Sequence, residues 1–126
     1  MGTFRFEITL LPVNGGSPET LDALVDTGST FTSVPGTLLE RLGVKPHRTI
    51  QMRLADGSAR QRPMGRLMAE IKGEREEILC VFGEAGDLPT IGAHTLEAFL
   101  LAVDPVKQDL IPSEALWALS VYHVIS

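Results

Sequence analysis

Apolar and polar residues alternate at the start of the chain, where Phe4, Phe6, Ile8 and Leu10 interleave with Arg5, Glu7 and Thr9. That period of two belongs to a half-buried strand. "NGGSP", Asn14 to Pro18, then breaks the pattern as a turn. The apolar run "LDALV" predicts a second strand ending at Asp26, and "TFTSV" a third beyond the corner that follows. "PGTLLERLGVKP" predicts a short helix, with Thr37 as its cap and Gly43 as its terminator. "RTIQMRL" and the segment after Ala59 flank "ADGS", in which Asp-Gly supplies the positive backbone angle of a tight, projecting hairpin. "GRLMAEI" and "EEILCVF" flank "KGER" as a second hairpin. "LPTIGAHTLEAFLLAVDP" predicts a short strand to Ile91, a corner at Gly92, a helix from about His94 to Leu100 and a strand to Asp104. "VKQDLIP" adds a further short strand, and the apolar tail "SEALWALSVYHVIS" fits helix and strand equally. Seven or so strands with two short helices make a mostly β chain, with no linker and no close repeat.

At 126 residues the chain suits one domain with a real core, spanning residues 1–126. Its 44% hydrophobic and 21% charged content is that of a globular protein rather than a disordered one. A formal charge of −5 argues against a nucleic-acid partner, since phosphate binding draws on clustered Lys and Arg. The densest basic stretch, "SARQRPMGR", spaces three arginines along the expected hairpin and reads as a solvated face. One cysteine, Cys80, cannot form an internal disulfide, so no oxidising compartment is needed and a buried thiol is expected. The first residues lack a signal-peptide pattern and no apolar run reaches membrane-spanning length, so a soluble cytoplasmic protein is expected.

Chemistry concentrates in "ALVDTGSTFTSV", Ala23 to Val34. An acid ends an apolar strand and is followed by Thr27, Gly28 and Ser29. Gly28 allows a sharp turn and the close approach of another backbone. Thr27 and Ser29 offer hydroxyls that can fix a carboxylate which would be expensive to leave unpartnered in a half-buried place. The outcome is an oriented, shielded acid. One such carboxylate is a weak catalyst, but two facing each other cannot both ionise cheaply and share a proton, giving a base for water and an acid for a carbonyl. No second carboxylate here has the same setting: Asp22, Asp56, Asp87, Asp104 and Asp109 all lack a following Thr/Ser-Gly. A dyad therefore requires two chains, each giving one Asp26 across a twofold axis.

"ALVDTGST" resembles the catalytic motif of the retropepsin-like aspartic proteases. "PTIGAHTLEAFLLAVDPVKQDLIP" resembles that family's second signature, with Thr90 at a place that is usually apolar, and "LADGSARQRPMG" falls where the family carries its flap. The resemblance covers about Phe4 to Pro112 and is closest to small bacterial relatives of the retroviral enzymes. It implies an acid-protease closed β-barrel with one or two short helices, working as a homodimer on peptide or protein substrates without cofactor or metal. It further implies that Asp26 is the catalytic acid and that Thr27 meets its twofold mate beneath the dyad. Gly28 would face substrate backbone and Ser29 would bond the outer carboxylate oxygen. Ala55, Asp56 and Gly57 would lie at the flap, with Ile91 and Gly92 packed under the acid loop. The terminal strands "FRFEI" and "LSVYHVI", the latter in the tail 113–126, are the candidates for a dimer sheet.

Blander readings stand beside this one. Asp, Thr, Gly and Ser are ordinary corner residues. His47, His94 and His123 show no metal-ligand spacing, and Cys80 lies mid-strand without an activating neighbour. Trp117 and Tyr122 suit an interface. Asp-x-Gly-Ser/Thr also marks the phosphate loop of two-lobed sugar-kinase-like ATPases, but those chains are several times longer and carry a second phosphate motif. The remaining alternative is a non-catalytic dimeric peptide-binding or assembly module with the protease fold.

Overall fold

The computed structural model describes residues 3–54 and 56–113. Among them the chain forms β1 (Phe4–Leu10), β2 (Glu19–Val25), β3 (Thr32–Pro35), α1 (Gly36–Arg41), β4 (Arg48–Arg53), β5 (Ala59–Ile71), β6 (Glu74–Gly83), β7 (Thr90–Ile91), α2 (Ala93–Ala98), β8 (Leu101–Asp104) and β9 (Asp109–Pro112). Most of the tail assigned to a dimer sheet lies outside the described residues.

β1 keeps its alternation, burying Phe4, Ile8 and Leu10 while Arg5 and Glu7 stay in solvent. It pairs antiparallel with β2 from Phe4–Val25 to Leu10–Glu19. β2 and β7 run parallel through Leu24–Thr90 and Val25–Ile91, and β3 and β6 run parallel from Thr32–Cys80 to Pro35–Gly83. The strand order is β1-β2-β7-β3-β6-β5-β4. β1 and β4 share one edge of β5: β4 pairs with residues 59–64, and β1 touches it at Thr9–Glu70 and Leu10–Ala69. The barrel expected from the sequence is thus a seven-stranded sheet that returns on itself through two residue pairs, with β4 at a free edge. β8 and β9 form a separate hairpin. It is tied to the β5–β6 turn by Lys72, whose Nζ lies 3.1 Å from Asp109 Oδ1 and 5.6 Å from the Phe6 ring centroid. Donation from that ammonium holds the Asp109 carboxyl below its ordinary pKa.

Two local expectations change. Thr37 does not cap α1; Pro35 sits at the N-cap with no side-chain bond, and Thr37 falls inside the helix. Proline's fixed backbone angle orients the entry, as at the first turns of many helices, without a hydroxyl. α2 ends at Ala98 rather than Leu100, which takes a left-handed φ of 54°. Gly43, at φ 81°, does follow α1 as expected.

β5 is one 13-residue strand although Pro63 and Gly65 interrupt its sequence. Both sit where β5 changes partners: its pairing with β6 stops at Met64–Val81, and residues 59–63 pair only with β4. Continuing the ladder would set Pro63 opposite Phe82, where proline has no N–H to give. Arg62 supplies the donors instead, with Nε and Nη2 at 2.9 and 2.5 Å from the Phe82 carbonyl oxygen.

The core joins the inner face of the sheet to α1 through Ile8, Leu10, Leu39, Ile71, Ile78, Ile91 and Leu110, each at most 2% exposed, and to α2 through Leu96. Leu39 on α1 is fully buried. Its truncation to alanine leaves a cavity, and Leu39→Ala is expected to lose about 2–5 kcal/mol. Urea unfolding will show this as a lower midpoint at unchanged slope.

Candidate active site

Asp26 follows the last residue of β2, and its backbone N–H donates to the Ile91 carbonyl at 3.0 Å, one step beyond the Val25–Ile91 pair. The parallel β2–β7 ladder therefore sets the height of the acid. The chain then turns at once, the Ser29 N–H donating to Asp26 O at 3.1 Å. Inside this turn both carboxylate oxygens find donors: Gly28 N–H reaches Oδ1 at 2.9 Å and Ser29 Oγ reaches Oδ2 at 3.2 Å. The half-buried carboxylate is thereby oriented by its own loop. Thr27 and Gly28 are exposed in the single chain, on the outer side of the corner.

What holds this loop is α2. A helix leaves its first N–H groups without intrahelical partners. Here Gly92 N–H donates to Thr32 Oγ1 at 3.1 Å, Ala93 N–H to Ser29 O at 2.8 Å and His94 N–H to Thr30 O at 2.8 Å. Thr32 Oγ1 also lies 2.6 Å from Thr95 Oγ1, and both threonines are buried. Only glycine permits the contact at residue 92, since a Cβ there would stand 2.5 Å from the Phe31 carbonyl carbon and oxygen. Ile91 is fully buried beneath the corner. The Phe31 and His94 rings meet beside it, their centroids 5.7 Å apart at 41°.

A groove of about 650 Å³ opens beside the corner. Gly28, Ser29, Thr30 and Phe31 form one wall, and Leu24, Ser33, Val81, Asp87, Leu88 and Thr90 complete that side of the lining. Ile50, Gln51, Met52 and Arg53 of β4 form the opposite wall. Among the described residues β4 pairs only with β5 and no strand takes the backbone groups on its other side, as an extended peptide adding to a sheet edge requires.

The β4–β5 hairpin turns at residues 54–58, Leu54 N–H donating to Ser58 O at 2.8 Å and Gly57 N–H to Leu54 O at 2.9 Å. Gly57 adopts φ 89°, the left-handed backbone expected of Asp-Gly. Asp56 Oδ1 accepts from Ser58 Oγ at 2.6 Å and Ser58 N–H at 2.9 Å, and these donors lower its pKa. Ala55 lies outside the described residues. Asp56 and Gly57 do not border the groove; the strand before them does.

The sequence-predicted residues therefore fall into two groups. Asp26, Gly28, Ser29, Ile91 and Gly92 come together as one bonded unit, while Asp56 and Gly57 stand at the hairpin end. Sequence reasoning missed the Thr32–Thr95 pair and the β4 wall. The signal for the threonines was a hydroxyl at an otherwise buried position of β3; Ile50 and Met52 were visible as the apolar half of an alternating strand. Cys80 is fully buried, and burial pushes its thiol up to about 12, which keeps it protonated and unreactive. Among the described residues no helix is long and apolar enough to cross a membrane.

The sequence profile of the family described as aspartyl protease matches residues 11–78. The fold is similar to the solution structure of simian foamy virus (mac) protease, with 22% identity, 74% of this chain and 91% of that chain covered, and a TM-score of 0.53. It is similar also to the crystal structure of the retroviral protease-like domain of Ddi1 from Leishmania major, at 21% identity, 89% of each chain and a TM-score of 0.55. A retropepsin-like aspartic protease from Rickettsia conorii shows 20% identity over 86% of this chain and 88% of that one, with a TM-score of 0.46. No curated protein matches the chain.

Two outcomes test the geometry. Gly92→Ala forces α2 away from the acid loop and is expected to destabilise the protein by about 3 kcal/mol, read by chemical denaturation. For Asp56, a carboxyl pKa held below 3.8 means that the turn's stabilisation is complete above about pH 4 and is lost as pH falls through the lowered folded value. The Ser58 amide resonance should titrate with a midpoint below 3.8, and Asp56→Asn should abolish that titration.

Proposed function

The chain belongs to the aspartyl protease family, and on that footing we propose that it is an aspartic endopeptidase whose active centre forms when two copies bring their Asp26 side chains together. One observation carries the proposal: the Asp26 carboxylate is half-buried, held at both oxygens by Gly28 N–H and Ser29 Oγ, and set in a loop that walls a peptide-sized groove. The exposure of Thr27 and Gly28 supports the twofold arrangement, because the outer side of the corner is open where a mate would sit.

In the dyad, proximity makes double ionisation costly, so one proton is shared. The ionised carboxylate takes a proton from water as the water oxygen bonds to the peptide carbonyl carbon, and the protonated partner gives its proton to the carbonyl oxygen. The tetrahedral adduct then breaks its C–N bond, with a proton delivered to the leaving nitrogen. The residues that act here are all from the chain itself. Gly28 N–H and Ser29 Oγ keep the carboxylate aligned, β4 pairs with the extended substrate through its free edge, and the hairpin covers the groove as a flap.

Asp26→Asn preserves the size of the side chain and its acceptor for Gly28 N–H but cannot take the water's proton. Its kcat/KM on a peptide library is expected to fall by about 10²–10⁴-fold with the fold intact by circular dichroism; undiminished cleavage rejects the assignment. Since each chain holds half a centre, specific activity should also drop on dilution in step with dimer dissociation measured by sedimentation.

A further inference from the structure

The part of the hairpin beyond Met64 has left β6, so its backbone no longer holds it to the rest of the sheet. Among the described residues its side-chain ties back to the body converge on one short stretch. Arg60 Nη1 pairs with Glu84 Oε1, Arg62 Nη1 lies 3.6 Å from Glu84 Oε2, and Arg62 Nε and Nη2 occupy the Phe82 carbonyl. The Glu84 carboxylate thus sits between two guanidinium groups that belong to the hairpin.

The fixed end of this bridge is itself part of the groove. Glu84 N–H donates to Asp87 Oδ2 at 2.9 Å and Asp87 N–H to Glu84 O at 3.1 Å, closing a tight turn that presents Asp87 and Leu88 to the groove. The hairpin end is β5, whose residues 59–63 pair with β4, the strand that forms the opposite wall. Beneath the bridge a hollow of about 90 Å³, edged by Met52, Leu54 and Val81, leaves room for the hairpin to shift. The two sides of the groove are therefore connected through the Glu84 carboxylate and the neighbouring Phe82 carbonyl.

We propose that Glu84 is a positioning residue, an ionic strut whose grip on Arg60 and Arg62 sets the width of the peptide groove and so the affinity for extended peptides. The strut rests on the peptidase reading for its purpose, though its mechanics do not depend on catalysis. Arg62 contributes more than an exposed ion pair, because its side chain is only 22% exposed and its guanidinium is already held by Phe82 O. The Arg60 and Glu84 side chains are nearly half exposed, so added salt weakens the bridge.

The test uses the full chain with spin labels at Ala59→Cys on the hairpin and Glu97→Cys on α2, diluted with unlabelled protein so that only the intrachain distance is read. Cys80 is buried and does not label. At low salt the distance distribution should be narrow. It should broaden in Glu84→Gln, and equally in the unsubstituted chain in about 1 M salt, where the Debye length is ~3 Å. Binding of an uncleavable hydroxyl-bearing peptide should weaken about three- to fivefold in Glu84→Gln, with the salt dependence of binding lost and kcat on a cleaved peptide changed far less than KM. Glu84→Asp, which keeps the charge, should recover most of the affinity. An unchanged distribution and unchanged affinity in both Glu84→Gln and high salt overturns the strut. A moving hairpin in a chain that cleaves no peptide leaves the strut standing and sinks the peptidase assignment instead.

Discussion

Two unmet hydrogen-bonding needs solve each other at the centre of this molecule. The start of α2 has N–H groups with no partner in the helix, and the loop after Asp26 has carbonyls with no partner in a strand. Gly92, Ala93 and His94 meet Thr32, Ser29 and Thr30, and both needs disappear at 2.8–3.1 Å. The absence of a side chain at residue 92 lets the two backbones come this close. Everything at the acid depends on it. The bonds from Gly28 and Ser29 can aim the carboxylate only if their own backbone is fixed, and it is fixed from below by the helix and from behind by the β2–β7 ladder.

The groove joins a wall anchored in the core to one built from an edge strand. On the acid side, Phe31 and Ser33 belong to backbone locked into the core through α2 and β3. On the other side, β4 is an edge strand whose only sheet partner has itself left the body of the sheet. The peptidase proposed above would use this division to keep its reacting group still while admitting a chain from solvent. Cys80 does not line the groove, and its burial in β6 holds the proton on sulfur.

Local features were legible in the sequence because local physics produces them. The alternation of Phe4 to Leu10 is the pleat of β1, and the Asp-Gly and Lys-Gly pairs are turns because residues 57, 72 and 73 take positive φ. Asp26 with Gly28 and Ser29 could be read as a fixed acid, since all its donors lie within three residues. Contacts between distant segments were not legible. Thr32 and Thr95 are 63 residues apart, and nothing in either neighbourhood says that two hydroxyls will meet in the core. The arginines of "SARQRPMGR" looked like a solvated face, yet Arg62 replaces a missing ladder donor and Arg60 reaches Glu84, 24 residues on. Pro63 marks where one continuous strand exchanges neighbours, which depends on segments far away in the sequence.

That exchange at Pro63 has an evolutionary corollary. Towards the tip, at residues 54–58, adding or deleting residues touches neither the β5–β6 ladder nor the Arg62–Phe82 bond. That tip can therefore be lengthened or shortened in descent without disturbing the backbone bonds that hold the Asp26 loop against α2.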